Sequence, residues 1–77
     1  MNMKNTVVYT SNGWGPCNSA KSWLRENYID FIEKNIEDDL NRMELINKGY
    51  KVTPVIMVGE TAIVGFQPQI LREVFSK

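Results

Sequence analysis

Thr6-Val7-Val8-Tyr9-Thr10, running into Ser11-Asn12-Gly13-Trp14-Gly15-Pro16-Cys17, decides how the rest of the chain is read. The β-branched and aromatic run makes a strand, and the turn formers behind it end that strand. Pro16 suits the first position of a helix, where its missing N–H is not needed, and Ala20, Leu24 and Tyr28 recur at helical spacing from Cys17. The segment is strand, loop and helix, the helix running over about 16–27. Cys17 then sits in the first turn of that helix, just beyond the carboxyl end of the strand, where open α/β sheets meet their ligands.

Outward from there, Ile29 to Ile36 mixes Ile and Phe with charges and reads as a short second strand. Glu37-Asp38-Asp39 places acidic groups where a helix N-terminus is positive; Leu40, Met43 and Leu45 or Ile46 follow, and Gly49 is the stop. A metal site is the other reading of the acidic run, but a solvated first turn is the plainer one. Thr53 is extended because it precedes Pro54, and Val55-Ile56-Met57-Val58 and Thr61-Ala62-Ile63-Val64 flank Gly59-Glu60 as a β-hairpin. Pro68 opens a last helix whose apolar stripe is Ile70, Leu71, Val74 and Phe75. The order β-α-β-α-β-β-α requires two parallel strands joined right-handedly plus an antiparallel hairpin. That is an α/β fold with a four-stranded mixed sheet and helices on both faces.

Composition narrows the function. The chain has 77 residues with nine Lys+Arg against nine Asp+Glu, one Cys and no His. Without His, the common general base, the Ser/His and Cys/His nucleophile pairs and mixed Cys/His zinc sites are all excluded. Zero net charge, with cations scattered along the chain, offers no footprint for nucleic acid or an acidic membrane surface. The longest apolar run, Val55 to Val58, is far short of the roughly 20 residues that span a bilayer, and the first twenty residues hold no leader pattern. A lone Cys is unlike a secreted domain of this size, so the expected location is cytoplasmic. The four Met residues form no helical stripe, and Trp23 reads as packing on the sheet.

Cys17 and the Thr53-Pro54 pair carry what chemistry there is. An exposed Cys at a helix start is a reactive thiolate, whereas a buried one is inert. A proline in a loop can take the cis form and expose a backbone edge for an extended partner, or it can simply start a strand.

Val8-Tyr9-Thr10, Trp14-Gly15-Pro16-Cys17, Ala20-Lys21, Thr53-Pro54-Val55 and Gly65-Phe66-Gln67-Pro68 together resemble the small redoxins of the thioredoxin superfamily. They are most similar to the glutaredoxin-like redoxins that reduce ribonucleotide reductase. The resemblance spans the chain and implies one thioredoxin-like domain over 1–77. It also implies a disulfide-reducing electron carrier with a Cys-x-x-Cys pair and a cis-proline beside it. Redox roles fall on Cys17 and position 14, and partner contacts on Tyr9, Gly15, Pro16, Thr53, Pro54, Gly65 and Phe66. No bound cofactor and no metal are implied. Electrons would come from thioredoxin reductase with NADPH or from glutathione, the substrate would be a protein disulfide such as that of ribonucleotide reductase, and the carrier would be a monomer.

The sequence departs from this pattern at position 14. Redoxins of this kind place their first cysteine five residues after the strand tyrosine and the second eight after it; here Trp14 is five after Tyr9 and Cys17 is eight after. The alternative sets Trp14-Gly15-Pro16-Cys17 against the thioredoxin Trp-Cys-Gly-Pro-Cys with one residue deleted, but the undisturbed spacing from Tyr9 favours substitution. Thiol–disulfide exchange needs an attacking thiolate and a second thiol for release, so Cys17 alone completes no intramolecular cycle. Three explanations stand: a native Trp on a fold used for binding or one-thiol chemistry, an engineered replacement, or a UGA codon that natively encodes selenocysteine. The donor segment departs as well, since Gln67 stands where the ribonucleotide-reductase redoxins carry arginine. Gly65 and Phe66 also have plain readings, as a positive-φ turn and a core side chain. The expectations are a cis Thr53–Pro54 bond and a buried Cys17 beneath residue 14.

Overall fold

The computed structural model describes residues 5–76. Its elements follow the order expected from sequence: β1 (Thr6–Thr10), α1 (Gly15–Glu26), β2 (Ile32–Asn35), α2 (Asp39–Asn47), β3 (Val55–Val58), β4 (Thr61–Val64) and α3 (Pro68–Phe75). The four strands form one mixed sheet in the order β2-β1-β3-β4, with β1 parallel to β2 and antiparallel to β3, and β3 antiparallel to β4. This is the thioredoxin-like arrangement.

The period-2 alternation of the strands sorts the core into two layers. Val8, Ile56, Val58 and Ile63 point to one face, where Ala20 and Leu24 of α1 and Leu71 of α3 close over them. Tyr9 and Val55 point to the other, where Leu45 of α2 meets them. Adjacent residues of β1 thus serve opposite layers, which fixes the register of the central strand: a one-residue slip would exchange the two sets.

The second strand is shorter than the expected 29–36. Tyr28 takes a left-handed φ of 58°, and the Ile29 N–H donates to Leu24 O at 2.9 Å, so the chain is still closing α1 at Ile29. Ile29 and Phe31 are spent as side chains packed on the α1 and α3 layer, and pairing with β1 begins only at Ile32.

Candidate functional site

The loop Ser11–Trp14 carries the chain from β1 into α1. Trp14 is the N-cap residue, extended at φ −101° and ψ 118°, and its side chain caps nothing. Its carbonyl accepts from the Cys17 N–H at 3.0 Å and from the Asn18 N–H at 3.3 Å, which starts the helix. Two neighbouring positions one turn apart are therefore placed in opposite environments: Trp14 is 52% exposed and Cys17 is 1% exposed. Gly15 between them is exposed and Pro16 half-buried. Burial of Cys17 agrees with the expectation from sequence.

The second loop reaches the same end of the sheet. Thr53–Pro54 is a cis peptide, as expected, and Pro54 is buried. Pro54 O accepts from the Gly65 N–H at 2.7 Å, and Gly65 sits at φ 82°, which a Cβ would disfavour. Ser11 Oγ and Thr53 Oγ1 share a hydrogen bond of 2.7 Å. Ser11, Thr53, Pro54 and Gly65 are thereby gathered at the mouth of α1. Phe66 is half-buried against the α1 and α3 layer, so its side chain serves the core.

Tyr9 is not part of that surface. Its ring is buried on the opposite layer with Leu45 and Val55. Burial pushes its phenol above the ordinary range, and Glu44, which accepts its hydrogen bond, adds to the rise. Lys34 holds Glu44 with contacts of 2.9 and 3.1 Å and keeps that carboxyl below the ordinary range.

Two features escape sequence reasoning. Thr10, buried at the end of β1, donates to Glu33 Oε2 at 2.8 Å, and the same oxygen takes the Lys21 ammonium at 2.9 Å. Chiefly through Lys21, with Thr10 assisting, the Glu33 carboxyl lies below its ordinary range. The bridge ties the second turn of α1 to β2, and its members lie 11 and 12 residues apart or more, too far for any local pattern to show. The other feature is Ser11, whose partner becomes legible only once β1 and β3 are known to pair.

A thioredoxin-fold redoxin is the class that this sheet, this helix start and this proline loop define. The sequence pattern of the glutaredoxins matches residues 6–63. The glutaredoxin-like protein NrdH of Lactococcus lactis subsp. cremoris is 35% identical over 68 residues, which cover 87% of this chain and 94% of that one. The chain belongs to the glutaredoxin family. Among solved structures, the NrdH redoxin from Escherichia coli superposes with a TM-score of 0.84 at 22% identity, covering 95% of this chain and 97% of that one. Glutaredoxin 1 from Francisella tularensis reaches 0.75 at 27% identity, covering 96% and 99%.

Proposed function

We propose that the protein is a thiol–disulfide electron carrier in which position 14 is the place of the attacking chalcogen and Cys17 is the resolving thiol. The observation that supports this most is the pairing of an exposed N-cap position with a buried cysteine one turn behind it. In a form with sulfur or selenium at position 14, the anion attacks one sulfur of the substrate disulfide and expels the other as a thiolate. Cys17 thiolate then attacks residue 14, forms the 14–17 bond and releases the second substrate thiolate. The carrier loses two electrons, the substrate gains two, and two protons convert the released thiolates to thiols. With Trp14 in place the first attack has no nucleophile.

The substrate is a protein disulfide, with ribonucleotide reductase the first to assay. Gly65-Phe66-Gln67-Pro68 favours thioredoxin reductase over glutathione as donor, in a cytosolic monomer. The codon for residue 14 separates native Trp from selenocysteine: a UGA in the gene identifies the latter. The activity test is Trp14→Cys, which creates a Cys-Gly-Pro-Cys sequence at the helix start. Insulin reduction should appear with this one substitution, supported by NADPH and thioredoxin reductase better than by glutathione with its reductase. A folded variant that forms its disulfide yet passes electrons from neither donor leaves a different reading, a module that grips extended peptides along Thr53 and Pro54 without electron transfer. The exposed Trp14, in the loop whose Ser11 bonds Thr53, favours this second reading for the chain as it stands.

A further inference from the structure

The β1–β3 ladder pairs Val8 with Ile56 and Tyr9 with Val55. Continued in the same register, Thr10 meets Pro54 and Ser11 meets Thr53. Main-chain pairing of β1 with β3 ends at Tyr9 and Val55, and the Pro54 carbonyl turns the other way, toward the end of β4, where it accepts from the Gly65 N–H. Ser11 Oγ and Thr53 Oγ1, 2.7 Å apart, join the strands two register steps beyond the last main-chain pair. The bond spans 42 residues of sequence and connects the loop that leads to position 14 with the loop that ends in Pro54. It also turns the Thr53 hydroxyl toward Ser11. Among the described residues, the N–H and C=O of Thr53 take no partner, so the side chain is tied inward while the backbone stays free.

We infer that Ser11 is a positioning residue: through Thr53 it holds the free backbone edge at residue 53 at a fixed spacing from position 14, so that an extended protein disulfide laid along that edge presents its sulfur there. This rests on the electron-carrier reading above. A small disulfide needs no such edge, so the device acts on protein substrates.

The test uses the full chain carrying Trp14→Cys and follows reduction of insulin and of 5,5′-dithiobis(2-nitrobenzoic acid). Ser11→Ala should raise KM for insulin by about fivefold, the upper end for a cross-strand hydroxyl pair, while kcat holds. Ser11→Thr should restore KM. Thr53→Val should raise KM as well, and the double variant Ser11→Ala/Thr53→Val should add nothing further. An unchanged insulin KM in Ser11→Ala, additive effects of the two substitutions, or an equal loss on both disulfides would overturn the inference. A second measurement needs no activity: with Trp14 in place, Ser11→Ala should shift the amide resonances of Thr53 and Gly65 and leave that of Leu45 still. A Thr53 amide that does not move also overturns the inference. If Trp14→Cys by itself reduces neither disulfide, the electron-carrier reading fails, and the amide shifts decide the Ser11–Thr53 coupling separately.

Discussion

α1 and α2 lie on opposite faces of one sheet, and they are held there by different means. α1 buries Cys17, Ala20 and Leu24 along one stripe, begins at Trp14 with no side-chain cap, and ends on Tyr28 with a left-handed φ. α2 buries only Leu45, but Asp38 caps it by accepting from the Leu40 and Asn41 N–H groups, Arg42 pairs with Asp39 at 2.7 Å, and Gly49 supplies the left-handed ending at φ 98°. Leu40, Met43 and Ile46 remain exposed. Local signals make α2 and tertiary packing makes α1. A helix secured by its packing can carry a poor N-cap, and that is where a functional position can be fitted, because a capping Ser or Asp at position 14 would leave no room for a reacting group.

The sharpest way to break this contrast is to remove the buried leucine of each helix. Leu24 is 0% exposed within the larger core layer, and Leu45 is 2% exposed within the smaller one. Leu-to-Ala changes cost about 2–5 kcal/mol, more where neighbours cannot collapse into the space. Leu24→Ala should fall at the upper end of that range and Leu45→Ala at the lower, read as urea midpoints by far-UV circular dichroism. A chain this small has only about 4–12 kcal/mol of stability, so the first variant should be close to unfolding at 37 °C. Equal midpoints for the two variants would mean that α1 does not depend on packing more than α2 does.

The helix ends come next in size. Asp38→Ala should cost about 1 kcal/mol by orphaning two N–H groups of α2. Tyr28→Gly should act in the opposite direction. The Tyr28 and Ile29 N–H groups close α1 onto Arg25 O and Leu24 O at 3.0 and 2.9 Å, the arrangement that normally has glycine where Tyr28 stands. Relief of the left-handed backbone should raise stability by about 1 kcal/mol, with the fully solvated ring giving up little burial, since Tyr28 is 95% exposed. Thermal unfolding of both variants checks the pair. Loss of stability in Tyr28→Gly would show that α1 has a local stop signal that its sequence does not display.

The same contrast explains what could be read in advance. Every element was legible, because Pro16, Pro68, Gly49, Gly59-Glu60 and the β-branched runs are local signals, and the resemblance ordered them into the sheet. The start of β2 was misread because Ile29 and Phe31 have strand-like side chains but a helix-closing backbone before them, and Tyr28 gives no sign of a left-handed φ. Cys17 was legible as a buried residue in the first turn of α1, from its place directly behind Pro16. Tyr9 itself was carried into the site, although the alternation of β1 turns its ring to the far layer. Ser11, Glu33 and the Lys21 bridge were missed because each depends on a partner brought near by strand pairing.

The smallest effect concerns the two ion pairs that join each helix to β2. Lys21–Glu33 belongs to α1, with side chains 19% and 33% exposed; Lys34–Glu44 belongs to α2, at 30% and 41%. Both carboxyls lie below their ordinary range in the folded chain, chiefly because each accepts a hydrogen bond from its lysine. A depressed carboxyl adds stability that is present at neutral pH and lost as pH falls through the carboxylate range, since the unfolded chain takes up the proton first. Solvent screens both pairs, which limits each to less than about 1 kcal/mol. Glu33 also holds the buried Thr10 hydroxyl at 2.8 Å, so its loss leaves a buried donor behind, whereas Glu44 is backed by Tyr9 on a more open face. Urea midpoints measured from pH 7 down to about pH 3 should fall for the unsubstituted chain, and Glu33→Gln should flatten that decline more than Glu44→Gln does. If Glu44→Gln flattens it more, the acid sensitivity lies on the α2 face, and the bridge from Lys21 through Glu33 to Thr10 contributes less to holding α1 than its geometry implies.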